Sequence, residues 1–78
     1  MNAKRIVYVR HARRSMRFWR ISHERVVATL EAPDRVLPMA KGRFNAIKAF
    51  EDGFLRVTYK EEDDRILVVT VTPRKRPW

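Results

Sequence analysis

The segment 66–71 constrains the fold of this chain more than any other. Its sequence, Ile-Leu-Val-Val-Thr-Val, is apolar at both odd and even positions and rich in β-branched residues. This pattern is typical of a central β-strand with both faces covered, so we expect it to lie inside a sheet. The chain has only 78 residues. One domain with a small hydrophobic core must therefore provide that cover.

Two helices are predicted in the first half of the chain. The region 10–20 carries apolar residues at helical spacing, which favours a helix with one buried stripe. The stripe consists of Ala12, Met16 and Trp19. Ser22 has the chemistry of an N-cap for a second helix, and Pro33 disfavours helical geometry at the residue before it. A tight turn at Arg20 and Ile21 joins the two helices into a hairpin.

The remaining elements are predicted to be β-strands, one before the helices and four after them. Their predicted bounds are 6–9, 35–38, 43–50, 54–60 and 66–71, and within the third of these the segment 46–49 would also tolerate a helix. Glu51-Asp52-Gly53 favours a hairpin turn, because Asp-Gly suits turns with positive φ angles. The order β-α-α-β-β-β-β predicts an α+β fold, with an antiparallel sheet and a helical hairpin packed on one face. Residues 1–73 form this single domain, and residues 74–78 form a basic C-terminal tail.

The charge balance is the strongest functional signal. Lys and Arg number 18 and Asp and Glu number 9, which gives a formal net charge of +9. This surplus predicts a polyanionic partner such as RNA, DNA or the ribosome, with an acidic protein as an alternative. Arginines outnumber lysines by 13 to 5. Because Arg binds phosphate through a bidentate fork and stacks on bases, nucleic acid is favoured.

Basic residues in three regions are predicted to bind nucleic acid. They are Arg13, Arg14 and Arg17 in the first helix, Arg43 at the start of a strand, and Arg74, Lys75 and Arg76 in the tail. In the later strands, Lys48, Arg56 and Thr70 are predicted to share the open face of the sheet beside aromatic rings. Cations interleaved with aromatic rings are typical of surfaces that bind single-stranded RNA. The alternative is an ordinary solvated sheet face.

Four side chains are candidates for catalysis. They are His11, Lys48, Arg56 and Tyr59. RNA carries its own nucleophile, the 2′-hydroxyl, so cleavage can rest on positioning that group and stabilising the charged phosphorane. Lys48 and Arg56 would stabilise the charge, and His11 would move a proton. His11 has a structural alternative at the strand–helix junction, and Tyr59 has one in the core.

Several classes of site are excluded or disfavoured. The absence of cysteine excludes disulfides, thiolate zinc sites and a cysteine nucleophile. The run Glu61-Glu62-Asp63-Asp64 lacks the alternate ligand positions of a calcium loop and is typical of a solvated hairpin tip. No metal site and no cofactor are therefore predicted. No apolar segment approaches the roughly 20 residues of a membrane-spanning helix, so we expect a cytoplasmic protein without membrane contact.

The motifs over residues 8–73 resemble those of a known group of small prokaryotic domains. The motifs are His11-Ala12-Arg13, Met16-Arg17, Ile21-Ser22, Pro33-Asp34-Arg35-Val36, Gly42-Arg43, Lys48, Leu55-Arg56-Val57-Thr58-Tyr59 and Arg65-Ile66-Leu67-Val68-Val69-Thr70-Val71. Together they resemble uncharacterised domains related to BrnT and, more distantly, toxins of the RelE and ParE type. Two positions depart from the pattern: Ser15 stands where Arg is expected, and Arg20 where a helix-ending Gly is expected.

The resemblance implies a RelE-like fold with the element order given above. For RelE-like members it also implies cleavage of messenger RNA, often on the ribosome, and neutralisation by a small antitoxin protein. Lys48 and Arg56 match basic strand positions, Tyr59 matches an aromatic one, and His11 opens the first helix as in the pattern. A homodimer is compatible with so small a core.

The sequence leads to one main hypothesis and two alternatives. The main hypothesis is a toxin-type, metal-independent endoribonuclease or translation inhibitor that acts on mRNA. The first alternative is a non-catalytic module that binds nucleic acid or the ribosome with salt-dependent affinity. The second alternative is a small basic domain that docks an acidic protein.

Overall fold

A computed structural model describes residues 4–76 of the chain. They form an α+β fold with two helices and a five-stranded sheet. The elements are β1 (Arg5–Tyr8), α1 (Arg10–Trp19), α2 (His23–Glu31), β2 (Arg35–Pro38), β3 (Arg43–Phe50), β4 (Gly53–Glu61) and β5 (Arg65–Arg74). A 3-10 turn, Ala40–Gly42, connects β2 to β3. The order of elements predicted from the sequence is confirmed.

The two ends of the predicted domain differ in how the structure describes them. Strand β5 continues through Pro73 and Arg74, so the first residue of the predicted tail belongs to the sheet. Lys75 and Arg76 follow the strand and are exposed. Residues 1–3 of the predicted domain and residues 77–78 of the predicted tail lie outside the described residues.

The sheet has the strand order β1-β5-β4-β3-β2 and is mixed. Strands β2 to β5 pair antiparallel, as their short connections predict, but β1 pairs with β5 in parallel. The prediction of an antiparallel sheet is therefore wrong at this pairing. Two helices separate β1 from β2, and because this connection is not a hairpin, it does not force β1 to run antiparallel to its neighbour. Strand β5 lies between two partners, as its apolar sequence predicts.

Both helices pack on one side of the sheet, which we call the helix face. Helix α1 lies over β5 and β1, and α2 lies over β4 and β3. The buried core on this face consists of Ala12, Val26, Leu55, Val57, Val68 and Val71. Within the described residues neither helix covers the opposite side of the sheet, which we call the open face.

A β-bulge in β5 decides which of its residues reach the core. The register passes from Thr70, opposite Thr58, directly to Val68, which leaves Val69 without a partner in β4. The extra residue reverses the alternation, so Val68 and Val71 both reach the core although they are three positions apart. Thr70 lies on the open face. Regular alternation would place Val68 on the same face as Thr70, and the bulge places them on opposite faces.

The apolar stripe of α1 is buried at one end only. Ala12 is completely buried and Met16 is partly buried, but Trp19 is 50% exposed. The prediction that Trp19 belongs to the core is wrong, because α1 ends at this residue and Ile21, after the turn, packs on the core instead. Arg20 adopts the left-handed conformation between them, with φ 56° and ψ 46°, where Gly is usual.

Helix α2 begins and ends as the sequence predicts. The Ser22 hydroxyl accepts a hydrogen bond from the backbone N–H of Arg25 at 3.2 Å, so Ser22 is the N-cap. Val26, in the following turn, is completely buried. The helix ends at Glu31, two positions before Pro33. Local sequence signals are therefore sufficient to place this helix.

Candidate nucleic-acid interface

The open face combines cations with threonines and apolar side chains. Residues directly opposite each other in neighbouring strands point to the same face, so the register identifies its members. The cations are Arg5, Arg35, Arg43, Arg56, Lys60, Arg65 and Arg74. The other members are Val7, Leu37, Asn45, Ile47, Ala49, Phe54, Thr58, Leu67, Thr70 and Thr72. Every strand therefore contributes at least one positive charge to this surface.

No carboxylate belongs to the open face among the described strand residues. The acidic residues lie in α2, in the connections between elements, or on the helix face at the end of β4. They are Glu24, Glu31, Asp34, Glu51, Asp52, Glu61, Glu62, Asp63 and Asp64. Glu61 accepts a hydrogen bond from Lys4 at 2.8 Å, and Glu62 pairs with Arg65 at one end of the sheet. The middle of the open face therefore has positive charge with no carboxylate opposite it in the register.

Arg56 lies near the centre of the open face. It stands opposite Ile47 in β3 and Thr72 in β5. Its Nε atom is buried and has no hydrogen-bond partner among the described residues. Burial, together with the charge of Arg74, lowers the pKa of the Arg56 guanidinium. A buried donor without a partner is costly, and an anionic oxygen would satisfy it.

A shallow cleft of about 410 Å³ includes Arg56. The rest of its lining is Met39, Ala40, Lys41, Arg43, Asn45, Thr58 and Thr70. Lys41 and Gly42 have positive φ angles of 64° and 72°, which form the tight turn at one wall. The Thr58 hydroxyl donates to Asn45 Oδ1 at 2.6 Å, so each side chain orients the other. Cations and oriented polar groups thus converge on one concave site.

Lys48 lies on the helix face, opposite Leu55, and not beside Arg56. Its Nζ donates a hydrogen bond to the carbonyl oxygen of Ala32 at 3.0 Å. Ala32 is the C-cap of α2, so Lys48 binds the negative end of that helix. The prediction that Lys48 and Arg56 share the open face is wrong. In the observed register Lys48 stands opposite the core residue Leu55 and points to the same face. Arg56 is the next residue after Leu55, so it points to the other face.

Tyr59 also points to the helix face, which agrees with its structural alternative. Its ring stacks on Phe44, with the two centroids 5.7 Å apart and the planes inclined by 29°. Burial, and then the charge of Glu61, raises the pKa of the Tyr59 hydroxyl. Tyr59 and Arg56 are thus on opposite faces of the sheet, and a catalytic role for Tyr59 stays a prediction.

The candidates in α1 are separated from the open face by the sheet itself. His11 is exposed in the first turn of the helix, and α1 packs on the helix face. The predicted binding residues Arg13, Arg14 and Arg17 are exposed on the same helix. Of the other predicted binding residues, Arg43 and Arg74 belong to the open face, and Lys75 and Arg76 follow β5. The predicted set is therefore divided between two sides of the molecule.

Several cations of the open face were not predicted as site residues. They are Arg5, Arg35, Lys60 and Arg65. For Lys60 the sequence carries a usable signal, because it lies four positions from Arg56 in a regularly alternating strand. Arg5 lies in a strand whose partner and direction depend on long-range pairing, so local sequence gives no signal for its face.

Tyr8 and His23 form a pair that the sequence does not predict. The Tyr8 hydroxyl and His23 Nδ1 are hydrogen bonded at 2.6 Å, and the two rings meet edge to face. Burial and the charge of Glu24 raise the pKa of the Tyr8 hydroxyl, and the charge of Arg13 opposes them. The contact joins β1 to α2. Since Tyr8 points to the helix face, the pair is not part of the open-face cleft.

Comparisons with known proteins do not assign the chain to a family. A scan against protein-family models found no match, and searches of the curated proteins and of the solved structures found none. Within residues 4–76, no helix has the length and apolar character needed to cross a membrane. Across the same residues, no three His, Asp or Glu side chains are grouped so that they could hold a metal ion. The open face therefore has to be interpreted from its own chemistry.

Proposed function

We propose that the protein binds single-stranded RNA on the open face of its sheet. The observation that carries this proposal is the one-sided arrangement of charge in the strands. The open face has a cation in every strand and no carboxylate among the described strand residues. The phosphates of an RNA strand supply the complementary charge, and their binding releases counterions. Affinity should therefore fall steeply as salt rises.

Arg56 is the residue best placed to hold one phosphate. Its Nε is buried without a hydrogen-bond partner among the described residues, and a rotation of the side chain toward the cleft would let the guanidinium bond to a phosphate oxygen. Such a charge-assisted hydrogen bond is stronger than one between neutral groups. Lys41 and Arg43 line the same cleft and add positive charge around that phosphate.

The other side chains of the open face favour a single strand over a duplex. Thr58 and Thr70 offer hydroxyl groups that can bond to 2′-hydroxyls and base edges. Phe54 offers a ring on which a base can stack. Neither helix of the described residues lies on this face, so no helix projects from it to enter a major groove.

Cleavage of RNA on the same face is the second candidate function. The resemblance to BrnT-related and RelE-like domains suggests it, and the guanidinium of Arg56, which lines the cleft, has the charge needed to stabilise a phosphorane. We rank binding first because His11, Lys48 and Tyr59 lie off the open face. Under either function the proposed partner is RNA; mRNA, free or on the ribosome, and the cytoplasm remain the predicted partner and compartment.

RNA binding is tested by fluorescence anisotropy with a labelled strand of about 12 nucleotides at several salt concentrations. We expect Arg43→Ala/Arg56→Ala to lose most of the affinity. The slope of log K against log salt should fall by about 0.7 for each lost phosphate contact. The matched control is Arg13→Ala/Arg14→Ala, which removes the same charge from α1. Equal losses in the two double variants would show general charge attraction and would contradict an open-face site.

Cleavage is tested on a gel, with a defined mRNA in EDTA and with or without translating ribosomes. The binding proposal predicts intact RNA in both conditions. Discrete products from the wild type and Lys48→Ala, but not from Arg56→Ala, would replace it with cleavage on the open face. Products that depend on Lys48 would instead restore the site predicted from the sequence.

A further inference from the structure

A second concave region lies where the turn between the helices meets the ends of β4 and β5. This groove has a volume of about 570 Å³. Its lining includes the aromatic or apolar residues Trp19, Phe54 and Pro73 and the cations Arg20, Arg74 and Lys75. A volume of this size is in the range that holds a small organic ligand.

Trp19 gives the groove an exposed aromatic surface. The side chain is 50% exposed, and it is absent from the residues that pack on the core. Its neighbour Phe18 is 74% exposed and meets the Trp19 ring edge to face, with centroids 4.9 Å apart. The contact restricts the orientation of Trp19. A restricted ring that remains open to solvent is suited to stacking on a flat partner.

Arg20 holds an unfavourable backbone conformation at the same groove. Its φ of 56° lies in the left-handed region, which a Cβ atom disfavours and which Gly adopts freely. The backbone N–H groups of Arg20 and Ile21 still bond to carbonyls of the last turn of α1, so the helix end needs this conformation but not this side chain. Arg20 therefore stands at a position where Gly would be less strained. A ligand for its guanidinium in the groove would explain why an arginine is present.

The groove has a surplus of positive charge. Arg25 and Asp52 also line it, but they bond to each other at 2.9 Å, and the Arg25 guanidinium lies 4.6 Å from the centre of the Phe50 ring. The charges of Arg25 and Asp52 cancel. Arg20, Arg74 and Lys75 then set the net charge of the lining, so its occupant should be anionic and partly aromatic.

Two residues connect the groove to the open face. Phe54 and Arg74 stand opposite each other at the ends of β4 and β5, belong to the open face, and also line the groove. A strand of RNA that follows the open face to this end of the sheet therefore reaches the groove without leaving positive surface. This continuity favours the same RNA strand over a separate acidic protein as the occupant.

We infer that the groove is a base-binding subsite, in which one nucleobase stacks on Trp19 while Arg20, Arg74 and Lys75 bind the flanking phosphates. This inference rests on the proposed RNA-binding function and adds a second position of contact to it. Stacking on a tryptophan ring is tolerant of base identity. The subsite therefore adds affinity and sets where the strand ends, rather than selecting a sequence.

The test uses the intrinsic fluorescence of Trp19 in a Trp78→Phe background, because these are the two tryptophans of the chain. An unlabelled RNA of about 12 nucleotides is titrated while a labelled copy reports total binding by anisotropy. We expect the emission of Trp19 to be quenched with the same midpoint as the anisotropy change. Polyglutamate at equal charge is the control ligand, and it should leave the emission unchanged.

Three variants sharpen the test. Trp19→Ala should weaken RNA binding roughly 5- to 100-fold, the usual loss for one stacked base. Phe18→Ala removes the neighbouring exposed ring, which does not line the groove, and should weaken binding much less. Arg20→Gly should weaken binding while the melting temperature rises or stays level, because Gly relieves the backbone strain. Thermal melts of all three variants show whether a loss of affinity reflects unfolding.

The outcomes separate this inference from the proposed function. Anisotropy that rises while Trp19 emission stays constant, with Trp19→Ala binding as the wild type does, overturns the subsite and leaves open-face binding in place. Absence of any anisotropy change overturns both. Equal quenching by polyglutamate also overturns base stacking, and it assigns the groove to an acidic protein segment.

Discussion

The two faces of the sheet place opposite demands on the same strands. Leu55 and Arg56 are neighbours in β4, yet Leu55 is 3% exposed beneath the helices while Arg56 lines the cleft of the open face. On the helix face, Lys48 is the only cation among the described strand residues, and it bonds to the C-cap carbonyl of α2. On the open face every strand carries a cation. The strand alternation therefore keeps unpaired charge out of the core beneath the helices. It places the surplus cations on the open face, around the buried side chains of Ile47 and Asn45.

The open face also differs from the other basic surface, the exposed side of α1. Arg13, Arg14 and Arg17 are exposed and can be hydrated by bulk water. The Nε of Arg56 is buried, and the pKa of its guanidinium is lowered. Burial is the larger cause of this shift, and the charge of Arg74 is the smaller. A hydrated arginine needs no ligand to be stable. A partly desolvated arginine without a partner lowers stability. Its presence at Arg56 is therefore better explained by a bound anion than is the presence of a hydrated arginine on α1.

The largest expected effect is a loss of stability on the helix face. Leu55→Ala removes a buried side chain and should lower the free energy of unfolding by about 2–5 kcal/mol. Urea unfolding followed by circular dichroism measures it. The affinity of the folded fraction for RNA should change little, because Leu55 borders the groove but is 3% exposed. A loss below about 1 kcal/mol would mean that Leu55 is not the core residue its burial indicates.

A loss of binding on the open face comes next. Arg56→Met keeps the length of the side chain but removes the buried donor, so RNA affinity should fall roughly 10- to 100-fold, the usual value of a hydrogen bond to a charged group. The free energy of unfolding should stay level or increase, because a desolvated charge is removed. Arg14→Met is the matched control and should change the affinity little. Similar losses of RNA affinity in Arg56→Met and Arg14→Met would show that the open face and the exposed side of α1 contribute equally to binding.

A smaller effect is expected at Lys48. Lys48→Met removes the hydrogen bond to Ala32 and the charge at the end of α2, which together stabilise the fold by about 0.5–1.5 kcal/mol. RNA affinity should be unchanged, since Lys48 is on the helix face. Chemical denaturation and the anisotropy assay give the two values. A variant that is stable but no longer binds RNA would refute this placement of Lys48.

The smallest effect concerns a carboxylate at the end of the sheet. The hydrogen bond from Arg25, and then one from the backbone, lowers the pKa of Asp52 in the folded state. The stabilisation from this pair is present above the pKa of the unfolded carboxyl and is lost as pH falls through the lowered folded value. Arg25→Met should return the pKa of Asp52 toward its ordinary value, as measured by the NMR shift of the carboxyl carbon. An unchanged pKa would mean that Arg25 does not neutralise this acid.

Local sequence signals were sufficient for the elements and for part of the site. The N-cap at Ser22, the stop before Pro33 and the Asp-Gly turn act within a few residues, and each lies where it was predicted. The opposite orientation of Leu55 and Arg56 within β4 also follows from local sequence, because strict alternation is a local property. Arg56 could be placed on the open face for the same reason.

The other features depend on contacts between distant segments. The face of Lys48 follows from the pairing of β3 with β4, and the direction of β1 follows from a partner about 60 residues later in the chain. Trp19 continues the apolar period of α1, but only the packed structure shows that Ile21 takes the place in the core. A single sequence carries no signal for these outcomes, because each is decided by the partner as much as by the residue.

The bulge at Val69 makes the length of β5 as important as its composition. If Val69 paired regularly with β4 instead of bulging, every position that follows would shift by one step relative to β4. Thr70 and Thr72 would turn toward the helices, and Val71 would turn toward solvent. Related sequences should therefore tolerate a deletion of Val69, which removes the bulge and leaves the pairing in place, more readily than an insertion or deletion elsewhere in β5. An alignment that overlooked a gap at this position would assign every later residue of the strand to the wrong face.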